Sequence, residues 1–183
     1  MEIYYKSQRE YGNLNMCTAV CYNLAMRYLV ASHDGIFSHE SIDDIMKQSA
    51  EFYQNAQKPN KTGLLGVFDI VKSVKLPPGI VGKDFAGTLL GSSGDGELDE
   101  VEGLFVMPLA DTLQLLRETT VPAAFIATFS EHSIVFLAEA GGRVMLFDPL
   151  PASLVDVSLR DACSAIGGAE VMYSGVLFGH AAE

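Results

Sequence analysis

The segment AAFIATFSEHSIVFLAEAGGRVMLFDP, residues 123–149, determines the fold class expected for this chain. It contains three apolar runs of strand length, over 123–129, 132–138 and 143–147. Gly141-Gly142, between the second and third runs, is typical of a hairpin turn. The segment therefore predicts consecutive antiparallel strands, and further strands over 153–157 and 171–178 are expected to extend the sheet, with a short helix over 159–166.

Upstream of this segment the apolar residues recur at helical spacing instead. Ser38 is a suitable N-cap, and Pro108 suits the first turn of a helix. The predicted helices cover 17–31, 39–57, a short run within 63–74, and 108–118. Helices followed by strands predict an α+β fold in one domain spanning 1–183. Its helical half, about 1–118, is expected to pack on an antiparallel sheet half, about 119–183.

Residues 77–102 are rich in Gly, Pro and Ser, which predicts a flexible loop. The loop ends in an acidic cluster that contains Asp95, Glu97, Asp99, Glu100 and Glu102. Two interpretations remain open: a disordered surface insertion, or an acidic lip beside a binding cleft.

Charge and composition exclude several functional classes. A formal net charge of −11 argues against nucleic acid and against anionic membrane surfaces as partners. Three cysteines without framework spacing, and no signal peptide or membrane-spanning run, favour a reducing, cytoplasmic location. The four histidines have no zinc-ligand spacing, and no phosphate-binding loop is found. No metal or cofactor is predicted.

Three residues in different local settings have the chemistry of a thiol hydrolase. Cys17 begins the first long helix, where unpaired backbone amides are expected to lower the pKa of a thiol. His132 begins one strand of the predicted hairpin, and Asp148 ends the next. Side chains on one face of paired strands lie about 5 Å apart at Cβ, so Asp148 can orient the imidazole of His132. His132 then serves as the acid–base for Cys17.

The attack of a thiolate on a carbonyl creates an oxyanion, which needs a side-chain donor beside the backbone amides. Gln8 is the favoured donor, Asn15 is the second choice, and Asn13 is also available.

Each of these residues also has a structural interpretation. Cys17 alone is as well explained by a buried, inert helix cysteine, His132 by a surface residue, and Asp148 before Pro149 by a strand-ending turn. The order and context of the three together favour catalysis. The other cysteines, Cys21 and Cys163, are expected to be structural. The other histidines, His33, His39 and His180, are expected to be solvated.

The segment Asn15-Met16-Cys17-Thr18, preceded by Gln8 and Gly12-Asn13, resembles the nucleophile segment of the herpesvirus large-tegument-protein deubiquitinases and their bacterial, tegument-like relatives. The stretch from Leu109 to the Phe147-Asp148-Pro149 strand end is also similar. The viral enzymes place their histidine just beyond the aspartate, where this chain has Leu150. The position of His132 is instead similar to that in ordinary papain-like enzymes and C39-type peptidases.

The resemblance implies a papain-like fold. It also implies the activity of a cysteine isopeptidase, which cleaves after the Gly-Gly tail of ubiquitin or a ubiquitin-like modifier. The expected location is the cytoplasm, either of the producing cell or of a host cell. It implies that Gln8 contributes to the oxyanion hole and that the acidic cluster attracts a basic tail. A C39-type peptidase, an effector acyltransferase or deamidase, and a papain-like module that only binds remain alternatives. The oligomeric state is not predicted.

Overall fold

A computed structural model describes residues 2–12, 15–31, 35–56, 58, 63–88, 99–101, 103–129, 132–149 and 172–181. Its helices are α1 (Cys17–Val30), α2 (His39–Asn55), α3 (Val67–Ser73) and α4 (Leu109–Arg117). Its strands are β1 (Glu2–Tyr5), β2 (Ile80–Thr88), β3 (Asp99–Val101), β4 (Leu104–Val106), β5 (Ala123–Phe129), β6 (His132–Ala138), β7 (Val144–Asp148) and β8 (Met172–His180). The strand predicted over 153–157, the helix predicted over 159–166, and the residues Asn13, His33 and Cys163 lie outside the described residues.

Local signals in the sequence predicted most of these elements. The hydroxyl of Ser38 accepts a hydrogen bond from the backbone N–H of Ser41 at 3.1 Å, which confirms it as the N-cap of α2. Gly141 and Gly142 have φ of 100° and 106°, a conformation that favours glycine. This confirms the hairpin turn between β6 and β7, which pair antiparallel.

The loop predicted over 77–102 is wrong for much of its length. β2 occupies nine of those residues and pairs with β8 along its whole length. A Cβ on Gly87 would lie 1.9 Å from the carbonyl oxygen of Met107, so this glycine serves a close approach of two backbones rather than a loop. The stretch 89–98 and the side chains of the acidic cluster lie outside the described residues.

The eight described strands form one sheet in the order β1-β7-β6-β5-β8-β2-β4-β3. The central strands are antiparallel, as predicted, but β1 pairs with β7 and β4 pairs with β2 in parallel. A purely antiparallel sheet was therefore wrong at its edges. Strands β1 and β7 are joined by most of the chain rather than by a hairpin, so no short turn fixes their direction.

The sheet has a hydrophobic core on each face, because its central strands are buried on both sides. Ala124 and Ile126 of β5 pack with α1, α2 and α3, whereas Phe125 and Ala127 pack with α4. The predicted helical half is therefore divided by the sheet, and it also contains four strands. Periodicity identified the helices, but not which face of the sheet each one covers.

Candidate active site

Cys17 is the first residue of α1, and the start of this helix has no competing cap. The N-cap residue Met16 makes no side-chain capping hydrogen bond, and the first turn contains no acidic residue. The first intrahelical bond is donated by the backbone N–H of Val20 to the Met16 carbonyl at 3.0 Å. The amides of residues 17–19 therefore have no partner within the helix, and they make this end attractive to a negative charge.

Burial works against ionisation of Cys17 in the resting protein. Only 4% of the residue is exposed, and burial raises the pKa of its thiol above the ordinary value. Hydrogen bonds from the backbone and hydroxyl groups of Ser133 and Thr18 lower this pKa by a smaller amount. The expectation that the helix start alone would give a low thiol pKa is therefore not met, because desolvation of a thiolate costs more than these contacts return.

His132 and Asp148 meet at one end of the sheet. Nε2 of His132 lies 2.9 Å from Oδ1 of Asp148, and their side chains are 8% and 0% exposed. The two atoms are close enough for an ion pair, but the N–H of the ring does not point at the carboxylate oxygen well enough for a hydrogen bond. The other ring nitrogen, Nδ1, is buried and makes no hydrogen bond to the described residues. One edge of the imidazole therefore faces the carboxylate, and the other edge is available to a further group.

The register of β6 on β7 differs slightly from the arrangement expected from the sequence. Val135 lies opposite Phe147, so continuing the antiparallel register by one step sets Ile134, rather than His132, opposite Asp148. His132 is then the diagonal neighbour of Asp148. Diagonal neighbours are farther apart than directly opposed residues, but long side chains can still reach each other. The imidazole bridges that longer separation.

Gln8 is completely buried beside the end of β7. Its backbone N–H donates to the Pro149 carbonyl at 2.8 Å, and Tyr5 in β1 lies opposite Asp148. The parallel pairing of β1 on β7 therefore delivers Gln8 to the Asp148 end of the sheet. Asn15, the second candidate donor, has its amide nitrogen 3.5 Å from the place where a Cβ on Gly63 would lie, in contact with the loop before α3. Asn13 lies outside the described residues.

Three linked hydroxyl side chains lie beside the nucleophile, two of them in contact with its sulfur, and none of them was predicted as a site residue. The Ser133 hydroxyl lies 2.8 Å from the Thr18 hydroxyl and 2.7 Å from the Thr128 hydroxyl. Ser133 and Thr18 both contact the Cys17 sulfur, and Ser133 directly follows His132 in β6. Neighbouring side chains of a strand point to opposite faces, so this contact places the backbone of β6, and not the imidazole, beside the sulfur. Thr128 and Ser133, which lie within two largely apolar strands, were the signal that could have identified these hydroxyl contacts.

Cys21 is fully buried one turn along α1, and burial raises the pKa of its thiol well above the ordinary value. Within the described ranges, His, Cys, Asp and Glu do not gather into a group of three that could hold a metal ion. Among those same residues, no helix is both long and apolar enough to cross a membrane.

Comparison with known proteins gives a likeness of fold and not of sequence. No protein-family profile matches this sequence, and no curated protein matches it. Six solved chains match its structure, one of them the ubiquitin-specific protease encoded by a murine cytomegalovirus tegument protein, in complex with a ubiquitin-based suicide substrate. The TM-score is 0.58 at 18% identity, over 92% of this chain and 80% of that chain. This chain therefore has helices and a mixed sheet arranged as in a viral ubiquitin protease.

Proposed function

We propose that this chain is a papain-like cysteine isopeptidase that hydrolyses the bond after the Gly-Gly tail of ubiquitin or a ubiquitin-like modifier. The observation that carries the proposal is the meeting of His132 and Asp148 at 2.9 Å, beside a strand residue that contacts the sulfur of Cys17. The fold likeness to a protease solved with a ubiquitin-based substrate supports the choice of substrate. The partner would be a ubiquitin-like conjugate, met in the cytoplasm of the cell or of a host.

In the proposed reaction His132 takes the thiol proton of Cys17 through Nδ1, the ring nitrogen that faces away from Asp148. The thiolate attacks the carbonyl carbon of the terminal glycine and forms a tetrahedral intermediate. His132 then returns the proton to the leaving lysine amine as the amide bond breaks. Water, deprotonated by the same imidazole, hydrolyses the resulting thioester and restores the thiol. Asp148 keeps the ring in the orientation that both transfers need.

The negative charge that develops on the substrate oxygen requires donors that are in place before the reaction. The unpaired amides at the start of α1 supply the backbone part of this site. Gln8 supplies the side-chain part in the proposal, because it is buried next to Pro149 at the same end of the sheet. No metal or cofactor takes part in these steps.

The decisive experiment is incubation with a ubiquitin suicide probe, followed by mass mapping of the modified residue. We expect one adduct on Cys17 and complete loss of labelling in Cys17→Ala. The matched control is Cys21→Ala, which removes a buried thiol one turn further along α1 and should retain labelling. Labelling of a folded Cys17→Ala protein would show that the nucleophile is another residue.

One observation favours a second candidate, a papain-like module that binds ubiquitin without cleaving it. Burial raises the pKa of the Cys17 thiol, which is unfavourable for a nucleophile unless His132 or another group compensates. This second function predicts that Cys17 reacts with iodoacetamide no faster than a free thiol at neutral pH. It also predicts micromolar binding of ubiquitin by Cys17→Ala and by the unaltered chain alike.

A further inference from the structure

We infer that Thr128, Ser133 and Thr18 form a reorienting chain of hydroxyls that turns one hydrogen bond toward the Cys17 sulfur when the thiol loses its proton. This inference deepens the proposed function, since it concerns the activation of the same nucleophile. The chain is continuous: Thr128 on β5 lies 2.7 Å from Ser133 on β6, which lies 2.8 Å from Thr18 on α1. Both Ser133 and Thr18 contact the sulfur.

Counting protons shows why the chain must have a direction. Three hydroxyls carry three protons, and the two contacts between them use two. The third proton either points out of the chain at its Thr128 end or points at the sulfur. When Cys17 is a thiol, its S–H donates into the chain, and the spare proton leaves at Thr128. When Cys17 is a thiolate, each hydroxyl rotates and the spare proton points at the sulfur.

The burial of these residues gives this rotation its importance. Ser133 is fully buried and Thr18 is 3% exposed, so water cannot easily replace their hydrogen bonds to a thiolate. Thr128 is only partly buried, and therefore can exchange its outer hydrogen bond with solvent in both states. The backbone N–H of Ser133 also contacts the sulfur, but a fixed N–H suits only the ionised form. The hydroxyls can serve both forms because they donate and accept.

Other ionisable groups near the sulfur must be separated from this effect. They are Cys21 on α1, whose thiol pKa is raised by burial and then by Cys17 and Asp148, and His132, which pairs with Asp148 and precedes Ser133 on β6. β5 has no ionisable side chain. Acidic residues of α2 and α3 pair with other groups: Asp43 with Tyr11 and Lys47, Asp44 with Arg27, and Asp69 with the backbone of Gly66. Altering a hydroxyl leaves all of these charges in place.

The experiment measures the rate of alkylation of Cys17 by iodoacetamide as a function of pH, with the modified residue identified by mass mapping. Ser133→Ala removes the middle hydroxyl, which contacts the sulfur and links Thr128 to Thr18, and so takes a hydrogen bond from the ionised form. We expect the apparent pKa of Cys17 to rise by about one pH unit, which lowers the rate at neutral pH about tenfold. The limiting rate at high pH should change by less than about threefold, because the thiolate itself remains.

Two variants of Thr128 make the result specific. Thr128→Val leaves the Ser133 proton of the thiol form without an acceptor, while Ser133 and Thr18 can still donate to the thiolate, so it should lower the apparent pKa of Cys17. Thr128→Ser restores a hydroxyl and should restore the original profile. Thr112→Val is the matched control. Thr112 lies on α4, is 1% exposed, and has its hydroxyl 2.8 Å from that of Tyr173. Its profile should match that of the unaltered chain.

An unshifted profile in Ser133→Ala would overturn the inference, as would a raised apparent pKa in Thr128→Val or a shift in Thr112→Val as large as that in Ser133→Ala. Alkylation does not require ubiquitin, so this result is independent of the probe experiment. A shifted profile in a chain that the ubiquitin probe does not label would support the hydroxyl chain and contradict the proposed substrate.

Discussion

Gln8 shows how one residue can be proposed from its chemistry and positioned only by the fold. It is a polar side chain with no exposed surface, and it begins a 3₁₀ turn that Lys6 and Ser7 separate from β1. The turn is anchored at both ends, because the Gln8 N–H donates to Pro149 and the Tyr11 hydroxyl donates to Asp43 at 2.7 Å. The turn that carries this buried amide is therefore fixed before substrate binds, which favours a preorganised oxyanion donor.

The role of Gln8 can be separated from that of Asn15 by a pair of substitutions. We expect Gln8→Ala to lower kcat for cleavage of a ubiquitin substrate by about 10²- to 10³-fold, with little effect on KM, because the oxyanion exists only near the transition state. Asn15→Ala, whose amide lies toward Gly63, should change kcat by less than about threefold. Steady-state kinetics check both values. The reverse order of effects would assign the donor to Asn15.

The strand β8 shows that a glycine can be required by packing inside a regular element. β8 lies between β5 and β2, and its residues pair with both neighbours. A Cβ on Gly175 would lie 2.4 Å from the carbonyl oxygen of Ile126 and 2.7 Å from the ring of Phe125. On the same strand, a Cβ on Gly179 would meet nothing within 4 Å. The two glycines therefore differ in the space around them, although both lie in one strand.

This difference predicts unequal effects on stability. We expect Gly175→Ala to lower the free energy of unfolding by about 2 kcal/mol or more, since backbone atoms of β5 would have to shift. Gly179→Ala is the matched control and should change it by less than about 0.5 kcal/mol. Urea denaturation followed by circular dichroism measures both. Equal destabilisation by the two substitutions would contradict the close packing of β8 on β5.

Charge acts at the scale of the whole molecule, which has a formal net charge of −11. Acidic proteins attract basic segments over distances of about a Debye length, and the gain is mainly in the association rate. The cluster formed by Asp95, Glu97, Asp99, Glu100 and Glu102 is the densest run of acids in the chain. Its role as an acidic lip stays a prediction, because its side chains lie outside the described residues.

A charge-matched comparison tests that prediction. Replacing the five acids of the cluster by Asn or Gln should slow association with ubiquitin several-fold, about three- to tenfold, at low salt. The control variant neutralises five exposed acids elsewhere and has the same net charge: Glu10, Glu40, Glu51, Asp84 and Glu118. Stopped-flow association at low and high ionic strength distinguishes the two. Equal rates for the two variants at low salt would mean that only the overall charge matters.

The sequence by itself determined the helices α1 to α4 and the strands β5 to β8, and it selected Cys17, His132 and Asp148 as candidate site residues. These predictions depend on local signals, namely apolar periodicity, the cap at Ser38 and the glycine turn before Arg143. Because one short turn joins β6 to β7, even the approach of His132 to Asp148 followed from the hairpin.

The tertiary structure decided the remainder, because those contacts join residues far apart in the chain. The pairing of β1 with β7, which brings Gln8 to Asp148, and the 2.8 Å contact of Thr18 with Ser133, 115 positions away, have no local signature. β2 is exposed over residues 81–84 and contains two glycines, so its pairing with β8 creates the strand. Burial of Cys17 is likewise a property of the packed molecule, and it reversed the thiol pKa direction that the helix start had suggested.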